Sequence, residues 1–539
     1  MQRWQTKSDL IELLCSLVNF PSITGSEAEI AIAEHLKNLL VETDYFKNNP
    51  SLLQLHPLKD GRQLLTALVK QGNTSETIIL LSHFDVVAID DYGSLKNMAF
   101  HPKILTKEIN KRKEELSELV QNDIETGDWL FGRGTMDMKA GLTLQLSMLE
   151  KAMHGEFKGN ILLLSVPDEE ANSLGMLTAL PVLEHLKNFH NLNYLSCLNS
   201  EPMFSKFPAD KSNYLYTGSI GKVLPGFLCY GKETHVGEPF AGLNANLMVS
   251  YLSQELELNE MFVEKVGDEI TPPPVSLMQR DLKEAYSVQT PTTAVAMYNV
   301  LYLKQSIETL NKKLFNAAEK ASKSIVEHFY EKMTSYSQYT KEFVKPTINV
   351  HVFMYEELYE IAINRFGKEE VERRQNLLIS QREEGDRDFS TLLVQDLAAL
   401  CKDMAPMIVL FYSPPFYPSV SSSTNPYIAS VVEKIQKYTA ENFSLSMKEI
   451  AYFPGLSDLS YLGPVSAGSD LTSLMKNLPL QNKGFEFPEH LLESISMPVI
   501  NVGPNGKDPH QWTERLELTY SFEYLPKILT NTIHALFKS

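Results

Sequence analysis

Cysteine is scarce: Cys15, Cys197, Cys229 and Cys401 are the four in 539 residues, and no CxxC pair occurs. Scattered thiols, three of them in apolar surroundings, exclude a disulfide framework and fit a reducing compartment. The sequons at Asn73 and Asn442 then carry no weight. No apolar run approaches the ~20 residues that cross a bilayer. The opening Met1-Gln-Arg-Trp-Gln-Thr-Lys7 lacks the apolar core and small-residue cleavage site of a signal peptide, so a cytoplasmic location without a membrane partner is expected. Blocks of positive charge are absent too. Lys+Arg 49 against Asp+Glu 67 leaves −18, spread along the chain, which argues against nucleic acid as a partner and mildly favours a cationic substrate. There is no internal repeat.

What the chain does have is apolar content, 43% of its residues, and length for several full cores. It is organised around a glycine-punctuated turn, Gly132-Arg-Gly-Thr-Met-Asp137-Met-Lys139-Ala-Gly141, that runs into the apolar stretch Leu142–Met153. Short Ile/Leu runs end in Ser82-His83-Phe-Asp85, in Asp168-Glu169-Glu170 and in Glu201-Pro202. Such runs alternating with helix-length segments read as an open α/β sheet, in which functional groups collect at the carboxyl ends of strands.

Taken in order, Leu10, Leu13, Leu14, Leu17 and Val18 behind Ser8 predict an amphipathic helix, and Ser26-Glu-Ala-Glu29 predicts a capping box opening a second. Strands are expected at 64–70, 77–83 and 160–166, a buried helix at 141–153, another helix at 175–188, and a strand ending at Glu201. Residues 104–126, rich in Lys and Glu, read as a solvated surface helix. From Tyr214 the character changes: a Gly-rich strand pair, His235, a helix from Asn244, the break Thr271-Pro-Pro-Pro274, a strand at 293–304, a long helix at 305–333, a charged helical stretch at 356–384 and a strand Met407–Phe411. Pro414–Pro426 looks like a hinge back. A helix at 426–440, a loop around Gly455–Asp458 and Gly468-Ser-Asp470, a strand at 497–502 and a final helix at 519–537 complete the chain. The expected domains are thus a catalytic domain in two parts, 1–213 and 420–539, around an inserted α+β domain, 214–419.

Singly, a His-x-Asp or a Glu-Glu at a strand end is ordinary surface charge. Together, His83, Asp137, Glu170 and Glu201 fall at successive positions on one edge of one sheet. Imidazole and carboxylate without cysteine suit a catalytic site for zinc, cobalt or manganese. Two metals ~3.5–4 Å apart need a bridging carboxylate, and Asp137 in the central turn is the natural one. Glu169 and Glu170, being adjacent, project differently, so one can bind metal while the other faces water as a general base. Gly226-(x)4-Gly231-Lys232 mimics a phosphate loop, but Glu233 stands where Ser or Thr would bind magnesium. Ser473-Leu-Met-Lys476 echoes an acyl-serine motif without its companion elements.

His83-Phe-Asp85-Val-Val, Gly132-Arg-Gly-(x)2-Asp137-Met-Lys139, Asp168-Glu169-Glu170, Glu201-Pro202, His235-(x)3-Pro239-(x)2-Gly242-Leu-Asn244-Ala245 and Gly503-Pro504-(x)5-His510-(x)3-Glu514 together resemble the M20 family of co-catalytic zinc peptidases. The resemblance implies a zinc-peptidase-like α/β catalytic domain with a central mixed sheet flanked by helices, plus an inserted lid or dimerisation domain. It implies two divalent ions, zinc foremost with cobalt or manganese as options, one held by His83, Asp137 and Glu201 and the other by Asp137, Glu170 and His510. It further implies that Asp85 orients His83, that Glu169 is the general base, that His235 stabilises the oxyanion, and that a cis peptide follows Asp137. Glu514 is supportive, Lys139 and Arg133 structural.

Three departures stand out: the large inserted domain, the lengthened loop at 104–126, and Tyr302-Leu303-Lys304 where many acylase-like members carry Asp-x-Arg. Lys304 offers a substrate carboxylate a point charge and no fork. A homodimer and a monomer with an enlarged lid both stay open. With Asp281-Leu-Lys283-Glu284-Ala-Tyr286 and Phe411-(x)2-Pro414-Pro415-Phe-Tyr417-Pro418, the departures resemble the arginine-utilisation RocB branch of the family. The implied reaction is hydrolysis of an amide next to an amino-acid moiety: an N-acyl amino acid, a dipeptide or an arginine-related metabolite. The rival reading is a non-catalytic binding or regulatory protein on the same fold.

Overall fold

A computed structural model of the protein describes residues 2–207, 209–340, 347–383, 385–465 and 471–538, so that the expected loop Gly468-Ser-Asp470 lies outside the described residues. Its chain forms two compact units: Met1–Ile220 with Pro418–Val465 and Pro488–Ser539, and Gly221–Tyr417 with Ser466–Phe487. The first unit therefore runs past the boundary expected at 213. The strand Asn213–Tyr216 pairs within its sheet, and a second short excursion, after Val465, leaves it for the other unit.

The first unit is built on an eight-stranded mixed sheet. Three neighbouring strands at its centre, Asn160–Val166, Glu76–His83 and Asn193–Asn199, are mutually parallel. Ile and Leu make up the middle stretches of the first two, Ile161–Leu164 and Ile78–Leu81, and nearly every residue of the three is buried, as parallel strands covered on both faces require. Gln63–Val69 and Leu53–Pro57 extend one side antiparallel. On the other side Val499–Asn501 runs parallel to Asn193–Asn199 and joins it to Asn213–Tyr216 and Met447–Ile450. The helix Lys139–Met153 is buried around nearly its whole circumference, which explains why its sequence lacks a polar face.

Boundaries read from periodicity hold within a few residues: Lys7–Val18, Glu27–Val41, Leu174–His190, Ala245–Leu256 and Pro426–Phe443 are all helices. Two local expectations fail. The first helix is capped by Thr6 in a box with Asp9, whereas Ser26 makes no side-chain cap: its hydroxyl donates to the Pro21 carbonyl, and the Glu29 carboxylate, the other half of the expected box, accepts from Gly25 N instead. Residues 104–126 form two helices, Pro102–Lys111 and Glu118–Thr126, and they present an inner face: Leu105, Ile109, Leu116, Val120 and Asp123 are buried.

The second unit has a six-stranded sheet whose main path runs Val275–Asp281, Thr293–Tyr302, Pro225–Tyr230, Met407–Tyr412 and His351–Met354. Leu224, Leu228, Val295, Met297, Val409 and Phe411 turn to one face, against the helices Tyr355–Phe366 and Asp386–Leu400. Ala245–Leu256 packs against Thr293–Tyr302 and against Ile307–Thr340. The phosphate-loop mimic is the strand Pro225–Tyr230 and the turn after it, and Ser473–Lys476 lies in the short helix Thr472–Lys476.

Candidate metal centre

His83 ends the strand Glu76–His83, Glu169 and Glu170 follow Asn160–Val166, and Glu201 follows Asn193–Asn199. Because the three strands are parallel neighbours, all three ends open on one edge of the sheet. Asp137 reaches the same place from the turn before Lys139–Met153, with a cis peptide to Met138. His510 arrives on the loop between the paired strands Gly506–Lys507 and Arg515–Glu517. Two glycines let the backbones close in: a Cβ on Gly503 would stand 1.7 Å from the carbonyl oxygen of Glu201, and one on Gly141 2.3 Å from that of Ser200.

The side chains form two groups that share Asp137. His83 Nε2 lies 3.4 Å from Asp137 Oδ1, 3.7 Å from Glu201 Oε1 and 3.9 Å from Glu169 Oε2. His510 Nε2 lies 3.3 Å from Asp137 Oδ2 and 3.2 Å from Glu170 Oε2. One carboxylate thus turns one oxygen to each imidazole. Donor atoms of His83, Asp137 and Glu170 lie within 4.8 Å of one another, a spacing that can hold a divalent ion with nitrogen and oxygen ligands. Glu169 and Glu170 diverge as adjacent residues must, one toward His83 and the other toward His510.

Asp85 does two jobs. His83 Nδ1 lies 3.1 Å from the Asp85 carbonyl oxygen and 3.5 Å from its Oδ1, which fixes the ring so that Nε2 faces the acids. The same carboxylate accepts the backbone N–H of Glu169 at 3.1 Å and of Glu170 at 3.2 Å, and the Thr24 hydroxyl at 2.8 Å. Glu514, fully buried, accepts the N–H groups of Met136 and Asp137 and pairs with Arg133 at 2.8 Å, so it holds the central turn. Lys139 Nζ donates to the carbonyls of Leu17 and Phe20.

Charge crowding perturbs every group here. Burial pushes Glu169 well above the ordinary carboxylate value; His83 opposes this, and Glu201, Asp458 and Glu170 add to it. Burial works against charge on His510, but Asp137 and Glu170 outweigh it and raise the imidazole to about 11. Burial would also raise Asp137, yet the hydrogen bonds from His510 and His83 prevail and hold it below the usual range.

Seven of the eight residues singled out in the sequence, Asp85 and Glu169 with His83, Asp137, Glu170, Glu201 and His510, meet in this centre. His235 belongs to the second unit, on an exposed loop where its Nδ1 accepts the N–H of Gly237 at 3.1 Å. Lys304, also of that unit, is exposed past the end of Thr293–Tyr302. Sequence reading missed Asp458, buried in the turn Asp458–Tyr461, whose carboxyl burial pushes up to about 7. It missed Arg62 and Glu29 as well: Asp168 accepts from Arg62 Nη1 at 2.6 Å and donates its N–H to Glu29 at 2.8 Å, which anchors the Asp168-Glu169-Glu170 turn.

The model of Peptidase family M20/M25/M40 matches residues 110–468, a span that includes Asp137, Glu169, Glu170 and Glu201. The chain belongs to that family. This M20 chain is 53% identical over 536 residues to the Uncharacterized protein YqjN of Bacillus subtilis (strain 168), covering 99% of the chain and 97% of the relative. It is 30% identical over 541 residues to Protein RocB of the same strain, covering 98% and 94%. Its fold is that of the M20 family metallo-carboxypeptidase Sso-CP2 from Sulfolobus solfataricus, with a TM-score of 0.55, 12% identity, and coverage of 98% of this chain and 99% of that one.

Proposed function

We propose that the protein is a dinuclear metal-dependent hydrolase of an amide or peptide bond adjacent to an amino-acid moiety. The observation that carries this reading is the division of Asp137, one oxygen toward His83 and the other toward His510, with Glu201 completing the first group and Glu170 the second. The donor set fits two divalent ions: it is nitrogen and oxygen only, buried at His83, Asp137 and Glu201, half-buried at Glu170 and exposed at His510, and oriented by further hydrogen bonds from the chain. Zinc is the ion we assign, with cobalt or manganese as alternatives; bound there, the ions would polarise the scissile carbonyl and acidify a water shared between them.

The chain's own residues do the rest. Glu169, beside the first group, takes a proton from the attacking water and returns it to the leaving amine. Burial, which raises its pKa above the ordinary carboxylate value, makes it the stronger proton acceptor. Asp85 keeps the His83 ring and the backbone of Glu169 and Glu170 in register. His235 is assigned as the donor to the oxyanion. The substrate is an N-acyl amino acid, a dipeptide or an arginine-related metabolite; the likeness to RocB supports weighting a substrate panel toward arginine. Four free buried cysteines support a reducing, cytoplasmic setting, and no helix among the described residues is long and apolar enough to cross a membrane.

Metal-loaded protein assayed on N-acyl amino acids and dipeptides, with Glu169→Gln as control, tests the reading. Turnover is expected to fall about 10²–10⁴-fold in the variant, with both ions retained. Binding of panel members without turnover, unchanged by Glu169→Gln, would favour the alternative, a non-catalytic binding or regulatory protein on this fold.

A further inference from the structure

The helix Glu118–Thr126 reaches the loop that carries His510 through one buried carboxylate. Asp123, 5% exposed, accepts from Arg515 Nε at 3.0 Å and Nη2 at 2.7 Å, and from Lys507 Nζ at 2.8 and 3.0 Å. Arg515, 1% exposed, turns its remaining nitrogen to the carboxylate of Asp508 and, at 3.0 Å, to the carbonyl of Thr513. The Thr513 hydroxyl closes the circuit on Asp508 at 2.7 Å. Trp129 lies beside both cations, its ring centroid 5.3 Å from Lys507 Nζ and 5.4 Å from Arg515 Cζ.

The loop so tied needs holding. Asp508 and His510 both lie in the left-handed region, at φ 57° and 61°, an uncommon conformation for residues other than glycine that persists where the surroundings impose it. The His510 side chain is 48% exposed, so packing alone leaves the ring loosely held, and the atoms that meet its Nε2 are the carboxylate oxygens of Asp137 and Glu170. A planar guanidinium held between two carboxylates is a directional coupling: Nε and Nη2 both point at Asp123 Oδ2 while Nη1 turns to Asp508, so the plane of the guanidinium ties the two acids together.

We propose that Asp123 is a positioning residue that, through Arg515 and Asp508, sets the loop 508–515 so that His510 faces Asp137 and Glu170. The charged insertion at 102–126 thereby tunes the second ion's site from outside it. This inference rests on the reading of His510 as a metal ligand.

Metal-stripped full-length protein is titrated with Zn²⁺ against a chromophoric chelator, and with Co²⁺ followed by its visible absorption. His510→Ala is expected to lose one of two ions. Asp123→Ala is expected to weaken that same ion about 10–100-fold and shift its cobalt bands, leaving the other ion as in the parent. Asp123→Asn, which keeps one acceptor oxygen, is expected to recover part of the affinity. Because Asp123→Ala strands a buried guanidinium and can unfold the chain, Thr513→Val serves as a second variant; it removes a single hydroxyl hydrogen bond to Asp508 and leaves the Arg515 pair in place, and is expected to weaken the same ion several-fold. Parental affinity for both ions in folded Asp123→Asn and Thr513→Val, with His510→Ala still losing one, overturns the positioning role alone. Retention of both ions by His510→Ala overturns instead the ligand assignment beneath it.

Discussion

Two imidazoles approach the single carboxylate of Asp137, and protons and divalent ions compete for the same nitrogens. In the metal-free chain His510 is raised to about 11 and His83 well above its ordinary value, so both carry a proton. That charge contributes its full stability below the ordinary histidine value of 6.5 and loses it as pH rises toward about 11. An ion must displace those protons, so its binding strengthens over the same range. The gain in Tm on adding zinc is therefore expected to increase from about pH 6 to about pH 9, with protons released on binding. Calorimetry in buffers of differing ionisation heat, beside thermal melts of stripped and loaded protein, measures both; a pH-independent gain would count against the shared carboxylate. At this scale most of the centre was legible because its residues end strands or a glycine turn, where spacing and chemistry are visible together. Arg62 was not legible. Its partners Glu29 and Asp168 stand 33 and 106 residues away, and only the fold brings them within reach.

Elements were legible wherever apolar periodicity decided them, and misread where a polar residue could serve more than one partner. Ser26 and Glu29 have capping-box spacing, yet the carboxylate of Glu29 is fully buried and accepts from Gly25 N at 2.6 Å, from Arg62 and from Asp168 N. Burial in a charged node outweighs a local cap worth ~1 kcal/mol. Arg62→Met would leave two carboxylates buried without their cation. It is expected to destabilise the chain by about 3–5 kcal/mol, read as a lower denaturation midpoint at unchanged m. An unchanged midpoint would mean that the node is dispensable. The insertion at 102–126 teaches the same lesson. Its many charges suggested a solvated surface, while the pairs Leu105/Ile109 and Leu116/Val120, each four apart, carried the signal of an inner face.

For the molecule as a whole, the class of architecture and its interruption by a second unit were visible in composition and strand order. The exact exits were not. Asn213–Tyr216 looked like the start of the inserted segment because it is contiguous with its Gly-rich strands, whereas its pairing partners, Met447–Ile450 and Val499–Asn501, come more than two hundred residues later. A chain ending at residue 498 is expected to aggregate, as light scattering or size-exclusion would report, because it lacks the strand that joins the two halves of the sheet. A soluble, monodisperse product would sink that expectation.

The position of Val499–Asn501 inside the sheet also bears on how the protein is made. During synthesis the strands Asn193–Asn199 and Asn213–Tyr216 leave the ribosome long before the strand that lies between them. At ~5–20 residues per second the gap of nearly three hundred residues lasts some tens of seconds. Throughout that interval two apolar strand edges stand open, a demand on chaperones that ends when the last tenth of the chain emerges, the same stretch that delivers His510.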